Sequence, residues 1–301
     1  MIRTLDPASD AFLASVNRIG ERMQRAQREI STGIRVATVS DDPDSISIIL
    51  QTRADLDSAE QIQKNLGRVK AESDAAEQAI QTSVQLVERV RVLGSQGLTG
   101  TATADSRKSL SAEVGSILEQ LVGITRTSVE GRYIFSGDAD QTPPYTVDLT
   151  QSNPVSAYAG GDVTRMVQHP NGTRFSVGRT AQQIFDSPNA GENVFISLNS
   201  LRLALAGNDE VAIGSAVDGV SAALTHLNGQ LAYYGTVQNK VQEATDFGSK
   251  LQVQLKTHLS SVQDADLTQS ILELNQAQIE QQAALKAKSA VPRTSLFDFL
   301  G

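Results

Sequence analysis

"GRYIFSGDADQTPPY", residues 131–145, is the stretch where this chain changes its pattern. It sets Tyr133, Phe135 and Tyr145 among Gly, Asp and Pro, after well over a hundred residues poor in aromatics. Upstream of it the apolar positions keep helical spacing. Leu5, Phe12, Val16, Ile19, Met23, Ala26 and Ile30 step by fours and threes, with Ser9 as the polar exception, which is a heptad seam. Asp6-Pro7 supplies a cap followed by a first-turn proline, and Gly33 stands where such a helix closes. Asp42-Pro43 repeats the opening signal, and a second helix is expected from there to about residue 98. A third carries Leu110, Val114, Ile117, Leu121 and Ile124 and is expected to end at Gly131.

Downstream, the segment from Arg132 to about Ser200 holds Tyr133, Phe135, Tyr145, Tyr158, Phe175, Phe185 and Phe195, interleaved with Pro and Gly. Asn171-Gly172 lies between two β-type stretches and predicts a hairpin turn. "TAQQIFD" reads as a helical turn or two. After Gly207 the three-four ladder returns through Val217, Val220, Leu224, Leu227, Leu231, Tyr234 and Val241, and predicts a helix over about 210–260. A last ladder runs through Leu267, Ile271, Leu274, Gln278, Gln281 and Leu285 before the chain closes on "RTSLFDFLG".

A chain that leaves helical spacing and returns to it pairs its two ends antiparallel. The expected fold class is therefore α + β: an elongated antiparallel coiled-coil helical bundle formed by the N- and C-terminal parts, with a small central β-rich domain. The expected segments are a core helix over 1–40, a helical rod over 41–131, a β-rich outer domain over 132–200, a long rod over 201–262 and a core helix with tail over 263–301.

Composition narrows the function. A net charge of -8 argues against nucleic-acid binding, which needs clustered Lys and Arg. No apolar run of about 18 residues predicts a membrane span, and "MIRTLDPASD" lacks the apolar core of a cleavable signal peptide. The absence of Cys removes disulfides, thiol nucleophiles and thiolate metal sites together. His169, His226 and His258 are far apart and lack partners at metal-ligand spacing. "SDDPD" at 40–44 lacks the alternating ligands, Gly and distal Glu of a Ca²⁺ loop, and reads as a helix cap. With no phosphate loop, nucleophile elbow or dinucleotide fingerprint, no enzyme and no cofactor are expected.

What remains is the terminal helices. Each offers a narrow apolar stripe that buries little area by itself, so both are expected to complete their packing against other molecules. The candidate assembly residues are Leu5, Phe12, Val16, Ile19, Met23 and Ile30 at one end. At the other they are Leu267, Ile271, Leu274, Leu285, Leu296, Phe297, Phe299 and Leu300.

"STGIRVATVSDDPDSISIIL", "GRYIFSGDADQTPPY" and "YAGGDVTRMVQHPNGTRFSVGRTAQQIFD", in this order and spacing, resemble the bacterial flagellar axial proteins, the flagellin-like family. The second stretch is more similar to the family's junction branch than to its filament branch. The resemblance implies a structural subunit exported unfolded through the flagellar type III channel to the cell exterior. It would sit in a ring at the junction between a hook-associated protein and the filament. The implied partners are that other hook-associated junction protein, flagellin, further copies of the chain and a flagellar export chaperone, with no nucleic acid and no membrane. A short flagellin forming the filament itself is the near alternative; a cytoplasmic coiled-coil scaffold is the distant one.

Overall fold

The computed structural model describes residues 7–189 and 191–290. They divide into two compact units, one from residues 7–58 with 252–290 and one from within residues 59–251. Helices α2 (Pro43–Gly97) and α6 (Glu210–Gln263) contribute residues to both.

The first unit contains α1 (Pro7–Thr32), the start of α2, the end of α6 and α7 (Leu267–Ala290). Gly33, at φ +71°, ends α1 in the left-handed region that glycine adopts without a Cβ penalty. The two interhelical connections are stitched together. Arg35 and Val36 donate their amides to Gln263 O, and Ala265 N donates to Gly33 O. Asp266 caps α7 by accepting from the amides of Thr268 and Gln269. Along the helices, Arg22 meets Glu273 and Glu280, Glu29 meets Ser270, and Lys288 lies over the Phe12 ring. Low numbers meet high ones, so α1 and α7 are antiparallel, as the return of helical spacing predicts.

The second unit pairs the rest of α2 with α6, again antiparallel: Gln63 reaches Ser249, and Gln238 reaches Asp74 and Glu77. Helix α3 (Ala104–Thr125) folds back on α2 and packs against α5 (Val194–Ala206). Arg107, 4% exposed, closes this end. Its guanidinium donates to Gly97 O at 2.8 Å, to Asn208 Oδ1 at 2.6 Å and to Glu210 at 2.5 Å, satisfying the last carbonyl of α2.

Three local features differ from the sequence expectation. Helix α3 stops at Thr125 rather than Gly131, because Glu130 (φ 52°) and Gly131 (φ 76°) form the two-residue turn of a hairpin, β1 (Ser128–Val129) with β2 (Arg132–Tyr133). The second hairpin, β3 (Met166–Gln168) with β4 (Arg174–Ser176), turns through Pro170 and Asn171. There Gly172 N donates to His169 O, and only Gly172 takes a positive φ. Helix α5 begins inside the segment expected to be β-rich. Asn193 caps it, and its exposed face carries Ile196 and Leu203 opposite a buried apolar face, so its sequence lacks the apolar–polar alternation that marks a surface helix.

Little of residues 132–193 is regular strand. Side chains and backbone turns hold it, together with the short helix α4 (Ala181–Phe185) and its Thr180–Gln183 capping box. Gly137, at φ +62°, lies so close to the backbone that a Cβ there would fall 2.1 Å from Gly161 O. Phe135, Tyr145, Phe185 and Phe195 are almost fully buried and form one chain of aromatic contacts, with centroids 5.2–6.3 Å apart. Thus 131–145 threads two of its aromatics into the helical core and fastens the irregular segment to it. Burial pushes the Tyr158 phenol up to about 12, and that of Tyr145, whose hydroxyl donates to Asp186, higher still.

Candidate functional site

The described residues hold no group of three or more His, Asp or Glu placed to bind a metal, and no helix long and apolar enough to cross a membrane. Asp41 and Asp42 act as backbone caps. Asp41 accepts from the amides of Thr38 and Ala37 and from the Thr38 hydroxyl. Asp42 accepts from the Ser45 amide and hydroxyl at the first turn of α2, and pairs with Arg35.

Those donors hold both carboxyls below the ordinary 3.8: the Thr38 amide first for Asp41, the Ser45 hydroxyl first for Asp42. A folded value below the unfolded one means that the stabilisation is present above the unfolded value and is lost as the pH falls through the folded one. Acidification below about pH 4 is therefore expected to free the Thr38 and Ser45 amides. Hydrogen exchange at those amides is the measurement, and Asp41→Asn with Asp42→Asn should remove its acid dependence. An unchanged acid transition in the double variant would contradict the assignment.

The assembly candidates are distributed as follows. On α1, Ile19 is buried and Phe12, Val16, Met23 and Ile30 are half-buried on the face that also carries buried Ala26. On α7 the seam is displaced from the expected ladder. Its inner face is Ser270, Leu274, Ala277, Gln281 and Ala284, with Ser270 and Ala277 buried and the other three half-buried. Small residues let two backbones approach, so the larger side chains are turned aside. Leu267, Ile271 and Leu285 lie off the seam, at 48%, 48% and 54% exposure. Leu5, Leu296, Phe297, Phe299 and Leu300 lie outside the described residues.

Leu272 (65%) and Ile279 (68%) join them. At 3.6 residues per turn the five occupy an arc of roughly 140° on α7, about as wide as the apolar face of a helix that packs on something. Leu272 and Ile279 fall outside the three-four steps of the sequence ladder. Their seven-residue separation was the available signal.

The first unit has little core of its own. Among the described residues its buried apolar side chains are Ile19, Ala26, Val36, Ile49 and Ala277. Two of these are alanines, which bury little area and contribute correspondingly little. A helix pair so thinly cored, with aliphatic side chains turned outward, is suited to binding other helices rather than to chemistry.

Comparison with known proteins agrees with this. Residues 4–140 match the bacterial flagellin N-terminal helical region, and residues 217–300 match the bacterial flagellin C-terminal helical region. The chain is 23% identical over 278 residues to a flagellin of Brucella melitensis, covering 92% of this chain and 89% of that one. Its fold is similar to that of a Vibrio parahaemolyticus protein described as flagellar hook-associated (TM-score 0.65, 18% identity, 74% of this chain and 100% of that chain). It is also similar to the flagellar junction protein FlgL of Legionella pneumophila (TM-score 0.55, 14% identity, 65% of this chain and 99% of that chain).

Proposed function

Because this chain belongs to the bacterial flagellin family, a family of structural subunits rather than enzymes, we propose that it forms the junction between a hook-associated ring and the filament. The observation that carries the reading is the thin α1–α7 seam beside the outward aliphatic arc of α7: the terminal helices are left for neighbouring subunits to complete. The junction position, rather than the filament, is favoured by the resemblance of 131–145 to the junction branch. It is also favoured by the likeness in fold to proteins described as hook-associated and junction proteins. In this reading the chain leaves the cell unfolded with the help of an export chaperone. Its neighbours in the assembled flagellum are the upstream hook-associated protein, its own copies in a ring, and flagellin.

Deleting the gene in its native host tests this directly, with electron microscopy of the cells and a search for flagellin in the medium. Bare hooks with free flagellin outside are expected, since the filament subunit would then exist without a platform. Bare hooks with no flagellin outside would make this chain the filament subunit, and unaltered filaments would remove it from the flagellum's axis.

A further inference from the structure

The β3–β4 hairpin has an open edge, and its surroundings are unlike the rest of this acidic chain. Arg165 O accepts from Val177 N, and His169 N donates to Thr173 O. The alternation of an antiparallel ladder therefore turns residues 165, 167 and 169 toward β4, and turns the N–H and C=O of Met166 and Gln168 the other way. No described group takes a hydrogen bond from, or gives one to, those outward backbone groups. Beside them runs a groove of about 400 Å³ lined by the three residues of β3 and by α2, with Asn65 and Arg68 on the α2 side.

Four arginines line this groove against one carboxylate, Glu72, in a chain whose net charge is -8. Arg165 is held by Glu72 at 2.5 Å and Asp140 at 2.8 Å. The other three are exposed. Arg68 pairs with exposed Glu130 at 3.2 Å, Arg132 reaches Asp140 only at 3.9 Å, and Arg174 makes no ion pair among the described residues. Val167 is buried below the strand, whereas Met166 is 61% exposed at its surface.

We propose that this edge receives an extended, carboxylate-bearing peptide segment of a partner protein, added as a further strand beside β3. Main-chain hydrogen bonds to Met166 and Gln168 would hold its backbone, and Arg68, Arg132 and Arg174 would take carboxylates from its alternate side chains. Charge complementarity selects the occupant: a basic rim repels a basic strand and favours an acidic one. The inference stands independently of the junction reading, because it uses only the second unit.

The test uses the full chain and a short synthetic peptide alternating Glu and Val. The comparators are a Lys–Val peptide and a Glu peptide of equal charge broken by prolines, which cannot supply the strand's amides. Expected is binding of the Glu–Val peptide alone, slowed hydrogen exchange at the Met166 and Gln168 amides, and affinity at least about tenfold weaker for Arg132→Glu with Arg174→Glu. Both arginines are exposed, so an unchanged circular dichroism spectrum checks that the variant is folded. Three results would overturn the proposal: no binding of the Glu–Val peptide, equal binding of either comparator, or unchanged exchange at the two edge amides. A site that bound the proline-broken peptide equally would be a charged patch, and arginines there would only guard the edge against self-pairing.

Discussion

A chain carrying Leu272→Asp and Ile279→Asp is expected to fold and unfold as the wild type does, and to fail in assembly. Both side chains are about two-thirds exposed on α7, so aspartates there meet water in the free subunit. Once a neighbouring helix covers the arc, each carboxylate must be desolvated without a partner, which costs several kcal/mol per group. Thermal unfolding of the purified chain should be nearly unchanged, while cells relying on the variant should lose their filaments. Substitutions on the inner face, such as Val16→Asp or Leu274→Asp, test the idea less cleanly because they also disturb the α1–α7 seam. Filaments of normal number and length with the double variant would show that the arc is not an assembly surface.

The second large effect is expected at Phe185. This ring is fully buried, edge-on to Phe135 at 6.3 Å and stacked on Phe195 at 5.8 Å. Phe185→Ala should cost about 3–5 kcal/mol, the transfer loss of the ring plus the cavity that close packing prevents from collapsing. In a unit of this size that lowers the calorimetric midpoint by on the order of 10 °C. Phe185→Leu should lose much less, since it restores most of the volume. A midpoint for Phe185→Ala within a degree or two of wild type would mean that the aromatic chain does not fasten the irregular segment to the helices.

The long helices were legible in the sequence because each carries its own punctuation. Asp42-Pro43 opens α2, Gly33 closes α1, and the spacing of Val114, Ile117 and Leu121 shows the inner face of α3. The segment 132–193 was not legible in the same way. Its order comes from bonds that leave no periodic trace: the Tyr158 hydroxyl to Phe135 O and Gly161 O, the Ala181 amide to Phe135 O, and the Arg126 guanidinium to Tyr145 O. Helix α5 escaped because apolar residues surround it on most sides. The facing of α7 was hidden in the sequence for a different reason. A search for large apolar side chains finds Leu267, Ile271 and Leu285, whereas the seam is set by Ser270 and Ala277, whose smallness is the property that matters. In the sequence the residues that turn inward and those that turn outward thus share one ladder, where the structure has two faces.

Arg107 has a mechanical consequence. Its one guanidinium grips the last turn of α2, the Asn208 side chain in the bend after α5, and the first residue of α6. A pull along α2 is therefore handed to α6 directly, through a planar, charged fork, rather than only through the long stretch of chain that separates Gly97 from Glu210. In a structural subunit under load, such a clasp would share tension between the two helices and resist either slipping a turn past the other.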